Sequence, residues 1–482
     1  MTGLKLVETA ALIDGLWIQA DATFAVINPA DGTVIAQVAD LGAAQTVIAI
    51  DAAHRAFPAW AARTAKDRGA ILRRWSDLML AHADDLARLM TAEQGKPLAE
   101  ARGEVVYGAS FIDWFAEEAK RGHGQSIPTP DPNKRLMSIK QPVGVCAAIA
   151  PWNFPIAMIT RKVGPALAAG CTVVVKPAAE TPLCALAIAR LAVEAGVPAG
   201  VLNIVTGKDA SAIGKALCDD PRVRKLSFTG STPVGKTLYA QCAGTMKKLS
   251  LELGGNAPFI VFDDADLEAA VDGAIASKYR NTGQTCVCAN RLIVQSGIHD
   301  AFAARLTQKV AAMKVGPGTG EGVTIGPLIN DKALIKVDSL VREAVEAGAV
   351  VLIGGDAHGL GGLFYQPTVL TGATADMRLF QEEIFGPVAP IVKFETEQEA
   401  IDLANATPFG LAAYFYSRDV GRCWRVAEAI EAGMVGINEG IISTEVAPFG
   451  GVKESGLGRE GASEGLDEYF ETKYLCFGGV KG

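Results

Sequence analysis

Beyond Pro132 the chain settles into one alternation, short apolar runs separated by helix-length stretches, and this most constrains the fold. The runs Val145–Ala150, Thr172–Lys176, Val201–Val205 and Lys225–Phe228 read as strands. Between and after them, Ile156–Ala169, Leu183–Ala195, Ala210–Cys218 and Val234–Cys242 have the length of helices. Strands that are apolar throughout are buried on both faces, so the pattern predicts an α/β fold with a parallel sheet covered on two sides. A nucleotide would sit outside the carboxyl ends of those strands. A second alternation starts near Pro258. It comprises Phe259–Phe262, a helix near Leu267–Ser277, Arg291–Val294, a helix around Ala301–Met313, Val388–Lys393, Ala412–Tyr416 and a helix near Val420–Ala432. It predicts a second α/β domain.

Ahead of the alternation, Asp14-Gly15 between apolar runs predicts a hairpin. Apolar residues from Ile71 to Met90 recur at helical spacing, predicting one helix with a buried face. Pro128, Pro130 and Pro132 mark a crossover. The segment Glu468–Phe477 is apolar and aromatic enough for a strand, and a terminal strand would find its edge on another subunit. A net charge of −8 and the lack of any Lys/Arg block give no reason to expect nucleic acid. The opening MTGLKLVETA is not expected to be a secretory signal, and no apolar run is long enough to predict a membrane span. Nine scattered cysteines fit reduced thiols in the cytoplasm, and five dispersed histidines give no metal-ligand spacing.

Five short segments can carry chemistry. In Asn281-Thr-Gly-Gln-Thr-Cys286-Val-Cys288 a Gly and a polar turn precede Cys286. This suits a thiol at a helix start, where the dipole would favour thiolate; a single Cys is otherwise usually an inert core residue. Cys288 reads as structural, or as the partner of Cys286 in a strained disulfide under oxidation. In Leu249-Ser-Leu-Glu252-Leu-Gly-Gly-Asn256 a carboxylate emerges at a strand end beside a Gly-Gly bend. If burial raised its pKa, Glu252 could activate a thiol or a water; otherwise it is a solvated charge. Pro151-Trp152-Asn153-Phe154-Pro155 fixes an amide donor, Asn153, in a strand-to-helix loop. That donor could hold an oxyanion or simply shape a turn. Phe228-Thr-Gly230-Ser231-Thr-Pro-Val-Gly235 is a glycine-rich strand-to-helix turn suited to pyrophosphate, and Lys176-Pro177 ends a strand where a ribose or 2′-phosphate could lie.

Together and in this order, with Glu383-Ile-Phe-Gly-Pro387, these segments resemble the aldehyde dehydrogenase superfamily from end to end. The resemblance implies a Rossmann-like cofactor domain (1–123 and 143–254, with 448–467 packing back on it) and a catalytic domain (255–447). A small β flap for oligomerisation (124–142 and 468–482) would assemble dimers or tetramers. It also implies roles: Cys286 as nucleophile, Glu252 as general base, Asn153 as oxyanion donor. Trp152, Lys176, Ala179, Gly230, Ser231 and Glu383 would bind the cofactor. Glu471 would be a second acid near the catalytic pocket.

Within the superfamily the chain is most similar to the succinate-semialdehyde dehydrogenases, through Met158-Ile-Thr-Arg161-Lys162, Ser277-Lys-Tyr-Arg280-Asn281, Cys286-Val-Cys288-Ala-Asn290 and Gly440-Ile-Ile-Ser443. Arg161, Arg280 and Ser443 would then grip a substrate carboxylate, for which a guanidinium fork is suited; two such arginines could equally form internal ion pairs. The implied reaction is NAD(P)-dependent oxidation of succinate semialdehyde through a thiohemiacetal and a thioester on Cys286. Glutarate semialdehyde, or another carboxylated or hydroxylated aldehyde, differs by too little binding energy to be separated. A non-redox thiol esterase would use Cys286 and Glu252 but leave the cofactor motifs idle. Ala179 neither repels nor binds a 2′-phosphate, and with Lys176 nearby the balance tips towards NADP over NAD.

Overall fold

The computed structural model describes residues 4–480. The first three residues and the last two, which fall in the expected segments 1–123 and 468–482, lie outside them. Two large sheets, a three-stranded sheet and two two-stranded ribbons organise the described residues. The first sheet has eight strands in the order Leu16–Ile18, Ala11–Ile13, Leu202–Ile204, Thr172–Lys176, Val145–Ile149, Val223–Thr229, Lys248–Glu252, Gly456–Leu457. Its five central strands are parallel. Strand order runs outward from Val145–Ile149 in one direction, then resumes on its other side with Val223–Thr229. Crossovers on the two sides diverge there, which opens a crevice at the carboxyl ends. The strands Thr172–Lys176 and Leu202–Ile204 are buried throughout, as an apolar run covered on both faces requires.

The second sheet has seven strands, Val350–Ile353, Thr368–Thr371, Val388–Phe394, Ala289–Gln295, Ala257–Val261, Ala412–Tyr416 and Met434–Ile437, parallel except for the first. The link between the sheets is short: Lys248–Glu252 of the first leads through Gly254-Gly255 into Ala257–Val261 of the second. The third sheet is antiparallel, Phe470–Phe477 beside Arg135–Pro142 beside Ser126–Ile127.

Every strand and helix anticipated in the two alternations is present, with ends shifted by a few residues. The hairpin turns at Asp14 and Gly15, both at positive φ (53° and 74°), the conformation a two-residue turn of this kind needs. The expected single helix over Ile71–Met90 is instead two, Ala65–Ala81 and Ala83–Gln94. His82 leaves the helical conformation (φ −105°, ψ 19°), closing one helix and opening the next, and Asp84 and Asp85 then complement the new helix's amino end. The carboxyl-terminal strand pairs within its own chain, with Arg135–Pro142, rather than waiting for a partner; its other edge is open.

Candidate active site

The loops that carried chemistry in the sequence, Lys176-Pro177 excepted, meet in one cleft of about 490 Å³, where the first sheet's carboxyl ends face the second sheet's amino ends. Pro151, Trp152 and Asn153 follow Val145–Ile149, Gly230 and Ser231 follow Val223–Thr229, and Cys286 immediately precedes Ala289–Gln295. Glu383 and Phe385 close the far wall. Gly255 is needed at this junction, because a Cβ there would collide with the carbonyl of Cys286.

Cys286 does not start a helix. It sits in a turn leading into a strand, so no helix dipole favours its thiolate. Burial instead pushes the thiol up to about 12; the positive charges of Arg161 and Arg280 oppose this, and Glu383 and Glu252 add to it. The turn is strained: Asn281 and Thr282 hold positive φ (52° and 58°) ahead of Gly283. Hydrogen bonds over-determine it. Asn281 Nδ2 donates to the carbonyls of Asn153 (3.0 Å) and Gln284 (3.2 Å), and its Oδ1 accepts from Gln94 (3.0 Å). Thr282 Oγ1 accepts from the Gly326 amide, and Gln284 Oε1 from the Ile329 amide, both at 3.0 Å.

Asn153 is held from both ends. Its Nδ2 donates to the Gln284 carbonyl at 3.0 Å, and its own carbonyl accepts from Lys96 Nζ at 2.7 Å. Lys96 is paired in the core with Glu104, whose other oxygen accepts the Ile156 amide at 3.0 Å. The buried pair thus ties the Pro151–Pro155 loop to helix Leu98–Glu118. Asn153 Oδ1 is buried and has no partner among the described residues.

Glu252 ends its strand fully buried, with neither oxygen hydrogen-bonded among the described residues. Burial, then the neighbouring Glu460, raises its carboxyl well above the usual range, against Arg161, Lys162 and Arg459. Arg161 and Lys162, on the buried helix Ala157–Ala169, both pair with Glu460. The alternative of an internal ion pair is therefore realised in part: Arg161 gives its Nε to Glu460 and lays its guanidinium over Phe449, 4.1 Å from the ring centre, while its Nη2 remains buried and unpartnered. Arg280 rests over Phe154, 5.3 Å from the ring centre, and lines a small cavity with Ser443, Ser277 and Tyr414.

On the cofactor side, Ser231 precedes helix Thr232–Cys242 and makes no side-chain cap, which leaves the first-turn amides open beside the Gly230 bend. Among the described residues Lys176 Nζ meets only the adjacent Pro177 carbonyl, at 2.9 Å, and burial lowers its pKa against the pull of Glu180. Glu383 accepts from the Gly255 amide at 3.1 Å, and burial pushes its carboxyl up to about 7. Trp152 packs edge-on against Phe385 at 5.6 Å. Ala179 lies apart from these, on the wall of a neighbouring cleft of about 730 Å³ with Glu180 and Lys208; the two clefts share Ile329 and Asn330. No group of three or more potential metal ligands occurs among the described residues.

Two corrections concern acids. Glu471 is not near the pocket: it lies exposed on the edge strand Phe470–Phe477, opposite Gln141 and 3.6 Å from Lys248. The acid that reaches the Arg161–Glu252 cluster is Glu460, which no sequence pattern flagged because it comes from an irregular loop. Lys96, in the link between helices Ala83–Gln94 and Leu98–Glu118, and Glu104, on the second of them, carry no local signal either. Cys288 is a buried thiol whose Sγ donates to the Lys278 carbonyl at 3.1 Å.

The sequence profile of the aldehyde dehydrogenase family matches residues 17–475. The chain is 60% identical to succinate-semialdehyde dehydrogenase (NADP(+)) of Escherichia coli, over 98% of each chain. It is 59% identical to glutarate-semialdehyde dehydrogenase of Pseudomonas aeruginosa, over 99% of each. The crystal structure of succinate-semialdehyde dehydrogenase from Burkholderia pseudomallei superimposes with a TM-score of 0.98 at 61% identity, over 99% of each chain. A thiol, a buried carboxyl and an amide donor gathered at the crevice of a parallel sheet are accounted for by this kinship: the chain belongs to the aldehyde dehydrogenase family.

Proposed function

We propose that the enzyme oxidises succinate semialdehyde to succinate with NADP as the acceptor. The observation that carries this reading is the company of the thiol: two guanidinium groups, Arg161 and Arg280, act on the half-buried Cys286, and Arg161 keeps an unpaired Nη2 for a substrate anion. Glutarate semialdehyde is the second reading, favoured by the equally similar Pseudomonas aeruginosa relative. One further methylene alters binding by only about 1–3 kcal/mol.

The cleft fits a dinucleotide. Its open helix amides and the Gly230–Ser231 bend suit a pyrophosphate, and the free Glu383 oxygen suits a ribose hydroxyl; Lys176, outside the cleft lining at the end of strand Thr172–Lys176, suits the other ribose. When bound there, the cofactor's nicotinamide supplies a hydride acceptor. Cys286 Sγ, in the thiolate form left when its proton passes to water, attacks the aldehyde carbon to give a thiohemiacetal alkoxide. The developing oxyanion is met by the second Asn153 Nδ2 hydrogen and by the Cys286 amide. Loss of hydride leaves a thioester on Cys286. Glu252, in its ionised form, takes a proton from water, which then attacks the thioester and releases the acid. Arg161 and Arg280, with Ser443, hold the far carboxylate.

In domain terms, 1–123 and 143–254 bind the cofactor with 448–467 packed back on them, 255–447 supplies the thiol, and 124–142 with 468–482 forms the oligomerisation flap. The open edge of Phe470–Phe477, which exposes Tyr474 and Phe477, supports a homodimer or homotetramer. No helix among the described residues is long and apolar enough to cross a membrane; the nine unpaired thiols support a reducing, cytoplasmic setting.

The test is a panel of aldehydes differing in length and terminal charge, each run with both cofactors. The reading expects the highest kcat/KM for the four-carbon carboxylated aldehyde with NADP. A preference for butanal over succinate semialdehyde would overturn it.

A further inference from the structure

Helix Leu98–Glu118 passes helix Ala157–Ala169 at close quarters: a Cβ on Gly108 would lie 2.6 Å from Ile156 Cγ2. The approach places Tyr107, the preceding residue, beside Arg161. Its ring is fixed edge-on against Phe111, with centres 4.9 Å apart. Its hydroxyl is buried with no acceptor for its proton among the described residues, and Arg161 lies close enough to donate towards its oxygen. The two charges that act most strongly on that hydroxyl are Arg161 and Arg280, and Cys286 is also within its field. A guanidinium is only a donor, so neither arginine can accept the phenolic proton. Arg161 Nη2 is likewise a buried donor without an acceptor. Donors converging with nothing to receive them, next to the reactive thiol, describe a site completed by an anion. A carboxylate brings about four acceptor positions and no donor.

We propose that Tyr107 is a substrate-binding and specificity-determining residue, its hydroxyl donating to the terminal carboxylate of the aldehyde alongside Arg161 and Arg280. The inference rests on the carboxylated-aldehyde reading above. Burial keeps the phenol protonated well past neutrality, despite both arginines, so at working pH it donates without adding negative charge beside the substrate's own. Tyr107 therefore separates carboxylated aldehydes from neutral ones of the same length: with a neutral chain end, the two buried donors, Tyr107 Oη and Arg161 Nη2, stay unpaired.

The test uses the purified full-length enzyme with saturating NADP, comparing wild type and Tyr107→Phe on succinate semialdehyde and on butanal. Expected is a rise of about 10- to 100-fold in KM for succinate semialdehyde, with kcat within about twofold and butanal kinetics unchanged, because an interaction with a charged group is lost from binding alone. Tyr107→Leu should give the same charge-selective loss, and melting curves check that each variant folds. Equal losses on both aldehydes would overturn the inference in favour of a packing role, and so would an unchanged KM for succinate semialdehyde. If wild type itself fails to prefer succinate semialdehyde over butanal, the carboxylated-aldehyde reading falls and this inference falls with it. If that preference is present and survives Tyr107→Phe intact, the inference alone fails.

Discussion

The two sides of the thiol are built on opposite principles. On one side, Asn281, Gln284, the Asn153 carbonyl, Lys96 and Glu104 form a continuous network with its polar groups paired. On the other, among the described residues, Glu252 and Arg161 Nη2 are buried without partners and the buried Tyr107 hydroxyl has no acceptor. The paired side holds a strained turn in place and fixes where the sulfur is; the unpaired side stores binding and proton-transfer capacity that only a reactant satisfies. Unpaired buried polar atoms are a cost in stability, and that cost marks the functional surface.

Replacing the sulfur removes what both sides serve. Cys286→Ala should reduce turnover by about 10⁴-fold or more without lowering the melting temperature, as checked by NADPH formation and by thermal unfolding. Glu252→Gln, on the unpaired side, should cost about 10²- to 10⁴-fold in kcat, the range expected for a lost general base. Its stability should move the other way. A carboxyl whose folded pKa is raised above its unfolded value destabilises the fold at pH values above the unfolded pKa, so the amide should melt at or above wild type at neutral pH. On the paired side, Lys96→Met leaves Glu104 buried and unpaired, and should destabilise by about 3–5 kcal/mol in denaturant unfolding. A stabilised Lys96→Met together with a destabilised Glu252→Gln would break the contrast.

Smaller effects sharpen it. Because burial raises both Cys286 and Glu252, their reactive ionised forms become more populated as pH rises. The kcat/KM for aldehyde should therefore climb through the neutral and alkaline range, with no acid optimum. Ala179→Ser adds one hydroxyl on the neighbouring cleft wall, and should raise the ratio of kcat/KM for NADP over NAD by only a few-fold, about 1 kcal/mol.

The contrast also explains what the sequence could reveal. The sheet order follows from apolar runs whose period is unmistakable, and Asn153, Gly230, Glu252 and Cys286 stand at strand ends, where the topology brings loops together. What escaped notice depends on distant pairing. The break at His82 interrupts an apolar pattern that runs straight through it. The thiol's high pKa comes from tertiary burial, whereas its local sequence suggested a helix dipole. Glu460 acquires its partners Arg161 and Lys162 across about 300 positions of chain. Glu471 was expected near the pocket, and nothing local shows that its strand turns it outward while the preceding loop carries Glu460 inward.

The most direct test of the central claim traps the covalent intermediate. Glu252→Gln enzyme, mixed with succinate semialdehyde and NADP and quenched after the first turnover, is digested and examined by mass spectrometry. The account predicts a burst of NADPH and a succinyl group on the peptide containing Cys286. A burst of NADPH with Cys286 unmodified, or with the acyl group on another residue, would contradict it.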